Sequence, residues 1–183
     1  LFRSCSSLII MYYATIKKVD IANGTGVRVS LFVSGCTHHC PECFNEVAWD
    51  FHYGEEFTSQ TIDDLIELMR QPHIQGLSLL GGEPMEPTNQ EGLLPLLQKM
   101  HQELPSKDVW CYTGYDLEDL LEGGRAHCFV SDELLSYIDV LVDGPFIQAE
   151  KNIRLKFRGS NNQRVIDMKK TREQNQIVLW DEK

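Results

Sequence analysis

What this 183-residue chain lacks narrows its class before any motif is read. No stretch approaches the roughly 20 apolar residues of a membrane helix; the apolar runs are strand-sized, as in Val140-Leu141-Val142. Leu1 to Ile10 hold one arginine and only Leu8-Ile9-Ile10 as an apolar run, short of a secretory leader's apolar region. Positive charge is scarce. The 17 Lys and Arg face 27 Asp and Glu, a net charge of -10 that argues against general binding to a phosphate backbone. Repeats and low-complexity segments are absent, and 13 Gly and 7 Pro are near average usage, so collagen-like, repeat and disordered chains do not fit. With 42% hydrophobic residues, the chain reads as one compact globular domain with a sizeable core, expected in the cytoplasm, with no nucleic-acid and no membrane partner.

Patterning gives the class. Asn23-Gly24-Thr25-Gly26 is a turn signal, and Val27 to Val33 then reads as a largely buried strand. Thr58 or Ser59 can cap a helix whose apolar positions Ile62, Leu65, Ile66 and Met69 have helical spacing, ended by Gln71-Pro72. A second strand spans Leu77 to Leu80. Leu93, Leu97, Met100 and Leu104 mark another helix, with Pro95 tolerable only near its first turn. A third strand covers Val109 to Thr113, short helices fall near 116–122 and 132–137, and a fourth strand covers Ile138 to Val142, with a fifth at Val165 to Met168. Strands alternating with helices predict an α/β fold with mostly parallel strands. The units are too few for a full eight-fold barrel, and loops after the strands should converge on one edge.

Six cysteines would suggest disulfides in a small secreted chain, but Cys36, Cys40 and Cys43 crowd into eight residues while Cys5, Cys111 and Cys128 are scattered. That is the pattern of a metal site in a reducing compartment. Three thiolates are one short of closing a tetrahedral zinc or a fully ligated iron-sulfur cluster. A structural zinc completed by His38, His39, His52 or Cys111 is one reading. The other is a [4Fe-4S] cluster with one iron lacking a protein ligand, which a small molecule bearing an amine and a carboxylate, such as S-adenosylmethionine, can chelate. Gly81-Gly82-Glu83-Pro84 after the second strand supplies two glycines that let a ligand approach the backbone and a carboxylate able to accept from an ammonium.

With these motifs paired, the chain resembles the radical S-adenosylmethionine superfamily and, more narrowly, the activating proteins of anaerobic (class III) ribonucleoside-triphosphate reductases. Asp20 to Gly26, Leu31 to Cys36, Cys43-Phe44-Asn45, Trp49, Trp110, Thr113-Gly114-Tyr115, Leu141 to Gly144 and Arg158 to Gln163 carry the resemblance, over about residues 12 to 168. It implies an incomplete TIM-like βα barrel, open at the side to a protein substrate. It also implies a [4Fe-4S] cluster on Cys36, Cys40 and Cys43 and reductive cleavage of S-adenosylmethionine, leaving a glycyl radical on the large reductase subunit. Glu83, with Gly81 and Gly82, matches the segment that binds the methionine amino group; Glu42, Cys43 and Phe44 match positions around the adenine; Thr113 and Asp143 sit where later strands face the ligand. No catalytic residue beyond the cluster is implied. Glu42 stands where many members have an aromatic, and Asp143-Gly144-Pro145 replaces the Asp-x-Lys of some related activators. A flavodoxin or ferredoxin would supply the electron. Two further readings are an activase of another glycyl-radical enzyme, of the pyruvate formate-lyase type, and a zinc-binding interaction module without catalysis. The expected divisions are an N-terminal extension at 1–11, the folded domain at 12–168 and a tail at 169–183.

Other residues read as structural. His38 and His39 are expected exposed beside the cluster, His73, His101 and His127 on the surface, Cys111 in the core, and Trp49 and Trp110 in packing. Residues 151 to 172 hold eight basic residues against Asp167 alone, a segment of about +7 that suits either a solvated tail or a docking surface for an acidic partner.

Overall fold

The computed structural model describes residues 10–41, 43 and 45–181. Its seven-stranded sheet has the order β3-β1-β2-β4-β5-β6-β7. Four central strands, β2 (Val27–Val33), β4 (Ile74–Gly81), β5 (Asp108–Tyr112) and β6 (Val140–Asp143), run parallel. β1 (Tyr12–Asp20), β3 (Glu55–Glu56) and β7 (Arg164–Asp167) add antiparallel edges. The fold is thus α/β with a mostly parallel mixed sheet, and that sheet does not close. Among the described residues no helix is long and apolar enough to cross a membrane.

Strand alternation sorts the side chains onto two faces. Val29, Leu31 and Val33 of β2, Leu77 and Leu79 of β4, Val109 and Cys111 of β5, and Leu141 of β6 form one apolar face. Against it pack α1 (Ser59–Met69) through Leu65, Ile66 and Met69, and α2 (Pro87–Glu103) through Leu93, Leu96, Leu97 and Met100. Each fully buried leucine contributes about 2 kcal/mol. Thr58 starts α1 with a capping box, its side chain and backbone bonded reciprocally to Thr61. Shorter helices α3 (Leu117–Leu120) and α4 (Ser131–Ser136) fill the crossover from β5 to β6, and α5 (Met168–Gln174) follows β7.

The other face differs in chemistry. Arg28, fully buried, pairs with Asp108 at 2.5 Å, donates to Ser78 Oγ at 2.7 Å and lies over the Trp110 ring. Beyond it Trp110 meets Phe157 and Trp180 edge-on. Trp180 arrives because the chain after α5 folds back on β7, with a bridge from Leu179 to Ile166.

One expectation needs correction, and two strands extend the reading. Pro95 sits in the middle of α2, not near its first turn, because the helix already starts at Pro87; its ring lies on the exposed face, where water can reach the carbonyl it leaves unpaired. The fifth strand is antiparallel. β1, which its mixed polar composition left unassigned, is held by pairing to β2 while Lys17 and Lys18 face solvent. Met11, just before β1, is buried in the core; Cys5 lies outside the described residues.

Candidate metal centre at the carboxyl edge of the sheet

The loop after β2 carries the three cysteines, and the turn after β4 carries Gly81, Gly82 and Glu83. The two are pinned to each other. Gly82 N–H donates to Val33 O at 2.8 Å and Glu83 N–H to Gly35 O at 2.9 Å, while Gly35 N–H donates to Ala48 O and Cys36 N–H to Trp49 O. The glycines serve this closeness. A Cβ at Gly82 would lie 2.7 Å from Gly35 O and 2.8 Å from Ala48 O, and one at Gly81 would meet Val33 backbone atoms, at a φ of +114 besides. Their missing side chains thus make room for the base of the cysteine loop.

Cys36 is buried, whereas Cys40 and Cys43 are partly exposed, with Cys43 N–H donating to Cys40 O. Burial pushes the Cys36 thiol up to about 11, against the backbone N–H groups of His38 and His39, which favour its thiolate. Burial also raises Cys40. Glu42 and Phe44 lie outside the described residues. Among the described residues no three His, Cys, Asp or Glu side chains are gathered closely enough to hold a metal. The donor set is nonetheless that of a soft metal: three thiols, with peptide N–H groups aimed at one sulfur.

Glu83, 1% exposed, is the hub of the site. Its Oε2 accepts from Gly114 N–H at 2.7 Å and meets His38 Nε2 at 2.9 Å; its Oε1 accepts from Met85 N–H at 2.9 Å. His38 is therefore not exposed as expected. It turns inward, its ring 4.3 Å from that of Tyr115, because Gly114 has no side chain: a Cβ there would sit 2.9 Å from the imidazole. The hydrogen bond to Glu83 raises the His38 pKa against the opposing effect of burial. His39 is exposed and stacks on Trp49 at 4.5 Å. His52 is exposed beside Tyr12, and Cys111 lies in the core.

Thr113 and Asp143 reach the same edge at the ends of β5 and β6. Thr113 Oγ1 accepts from Tyr115 N–H. Asp143, wholly buried, accepts from Leu117 N–H at 2.8 Å and pairs with Arg164 at 2.5 Å, so its carboxylate anchors the start of α3 to β7.

Sequence reasoning missed the side chains that frame the loop. Glu86 accepts from Thr37 N–H at 2.8 Å and from Thr37 Oγ1 at 2.6 Å. Asn89 donates to Ser34 O at 3.0 Å and Glu83 O at 2.8 Å. Gln90 donates to Met85 O and Ala126 O and accepts from Ser131 Oγ, beside Cys128. The signal was available: Asn89 and Gln90 precede Leu93 on the stripe of α2 that faces the core, with Glu86 at the cap just before the helix, and polar residues there need partners.

A family model described as a 4Fe-4S single cluster domain matches residues 22–166. Proteins named anaerobic ribonucleoside-triphosphate reductase-activating protein are similar along most of the chain. The one from Haemophilus influenzae is 44% identical over 156 residues, 84% of this chain and 94% of that protein. Those of Escherichia coli K12 and Enterobacteria phage T4 are 41% and 40% identical, covering 84% and 85% of this chain and 96% and 93% of their own. With likeness at that level across nearly the whole relatives and a cluster-domain match spanning the cysteine loop and the glycine turn, the chain belongs to the family of anaerobic ribonucleoside-triphosphate reductase-activating proteins.

Proposed function

We propose that this chain is a radical S-adenosylmethionine activase that installs a glycyl radical on an anaerobic ribonucleoside-triphosphate reductase, working in the cytoplasm with an electron from a flavodoxin or ferredoxin. Cys36, Cys40 and Cys43 would hold a [4Fe-4S] cluster. When bound, the cluster would supply one electron for the reductive cleavage of S-adenosylmethionine to methionine and a 5'-deoxyadenosyl radical, which would take a hydrogen atom from a glycine Cα of the partner. The observation that carries the reading is the pinning of the cysteine loop to the Gly81-Gly82-Glu83 turn through Glu83 N–H and Gly35 O, which puts a buried carboxylate beside the three-thiol loop.

The residues divide the work. Glu83, held in place by Gly114 N–H, Met85 N–H and His38, would receive the amino group of the cofactor. Gly81 and Gly82 fix the turn's backbone against the loop. Glu42, Cys43 and Phe44 serve the adenine side. Thr113 and Asp143 belong to the ligand-facing edge, Asp143 acting through the Arg164 and Leu117 N–H that it holds. The unclosed sheet suits a partial barrel of the radical S-adenosylmethionine type, with a functional domain at 12–168 and the open side left for a protein substrate.

Iron, sulfide and zinc analysis with electron paramagnetic resonance, on anaerobically purified protein, tests this. About four irons and four sulfides per chain are expected, with a reduced signal that changes on adding S-adenosylmethionine. Cys40→Ala should fold yet neither assemble the cluster nor cleave the cofactor. One zinc per chain and a silent spectrum after attempted reconstitution would refute the reading, and radical formation only on a pyruvate formate-lyase-type partner would reassign the substrate.

A further inference from the structure

We propose that a cationic pocket between the 144–163 loop and the C-terminal tail receives an acidic segment of the partner reductase; this rests on the activase reading above. The pocket has a volume of about 410 Å³ and is lined by Lys156, Phe157, Arg158 and Arg164 on one side and Leu179 and Trp180 on the other.

Topology puts it at the working edge of the sheet. β6 ends at Asp143 and β7 begins at Arg164, directly paired with it, so the 20 residues between leave and return at the edge that bears the cysteine loop. A chain of contacts joins the two places. Gln163 donates to Gly144 O, Gly144 N–H donates to Tyr115 O, and the Tyr115 ring lies against His38.

The charges select the occupant. Much of the basic segment is used internally: Arg164 is taken by Asp143 and Glu118, Arg172 by carbonyls of Leu135 and Ile138, and Lys170 by Asp167. Arg158 is also bonded within the loop, to the carbonyls of Asn161 and Gln163, yet the 144–163 loop as a whole carries Lys151, Arg154, Lys156 and Arg158 against Glu150, a net charge of about +3. A chain of net charge -10 repels an acidic partner over most of its surface and attracts it at this loop. Beside the cations Ile153 is 91% exposed, an apolar contact of the kind found at the centre of protein interfaces. Inside, Asn162 Oδ1 is shielded from solvent without a hydrogen-bond partner in the described structure, an acceptor that a peptide N–H would satisfy.

Isothermal titration of the reconstituted full chain with the anaerobic reductase of the same organism, at about 50 and about 300 mM salt, tests the pocket. Lys156→Glu should weaken binding about tenfold at the lower salt and less at the higher, while Lys156→Arg stays within about twofold of the parent. Ile153→Ser, at a position too exposed to affect folding, should weaken it about threefold. Lys18→Glu, on β1 at the far side of the sheet, is the control for net charge and should leave affinity within about twofold. Unchanged affinity in both Lys156→Glu and Ile153→Ser, or an equal loss in Lys18→Glu, would overturn the proposal. So would a change in self-association alone, which would assign the pocket to a second copy. Cofactor cleavage by the parent protein, measured separately, keeps the two ideas apart: without cleavage the activase reading falls, and with cleavage but unmoved affinities only the pocket does.

Discussion

The cysteine loop and the 144–163 loop leave the same edge of the sheet, yet they are held by opposite means. The bonds that frame the cysteine loop come mainly from elsewhere: from the turn at 46–49, from the glycine turn after β4, and from Glu86 and Asn89, 49 and 55 positions away from Thr37 and Ser34. The basic loop folds largely on itself. Arg158 donates to Gln163 O, the Gln163 side chain accepts from Gly159 and Ser160 N–H, Asn152 bonds Asn161, and Lys151 bridges Ser160. A loop framed from outside keeps its own side chains available for a ligand, as three thiols require. One that satisfies its own backbone stands as a preformed projection, as docking requires at low entropic cost.

Breaking the outer frame should have the larger effect. Asn89→Ala removes the donor that serves the buried carbonyls of Ser34 and Glu83, and leaving them unsatisfied costs about 2 kcal/mol. Denaturant unfolding reads that loss. Iron per chain after reconstitution should fall as well, since the root of the cysteine loop is no longer tied to α2. Stability lost with iron content unchanged would mean that the frame serves folding alone.

Gln163→Ala attacks the self-folded loop in the same way and should cost less, about 1 kcal/mol, because its partners are close to water, which can replace the bonds. The contrast between the loops predicts where the damage shows. Iron content should stay at the parent level, and proteolysis should cut first within 151–163. An iron loss equal to that of Asn89→Ala would erase the distinction between the two loops.

The same contrast explains what could be read beforehand. The central strands and α1 were legible because alternation and a 3.6-residue period are local, and Thr58 and the Leu65-Ile66-Met69 stripe announced their helix. The three cysteines and the Gly81-Gly82-Glu83 turn were legible as motifs. Long-range partners were not: His38 turns inward only because Gly114, 76 positions later, leaves space. Glu86 and Asn89 drew no reading as site residues, since the Thr37 N–H and the Ser34 carbonyl that they satisfy belong to another loop. The glycines were read as room for a ligand, and the packing at Gly82 shows that the space is first taken by Gly35 and Ala48.

A last, smaller effect tests how the basic loop is tied to the body. Arg164 leaves that loop to pair with buried Asp143 and with Glu118, whose carboxylate it approaches at 2.7 Å. The hydrogen bond from Arg164 holds the Glu118 pKa below its ordinary 4.5, outweighing the opposing effect of burial. A carboxyl lowered on folding contributes stability that is fully present above its unfolded value, and that contribution disappears as pH falls through the folded value. Because the Glu118 side chain is 60% exposed, solvent screening limits the contribution to about 0.5 kcal/mol. Glu118→Gln should therefore melt slightly below the parent near neutral pH, with the gap narrowing below about 4.5 and closing in stronger acid. A gap that persists unchanged into acid would show that Glu118 acts through its size rather than its charge, leaving Asp143 as the acid that ties Arg164 down.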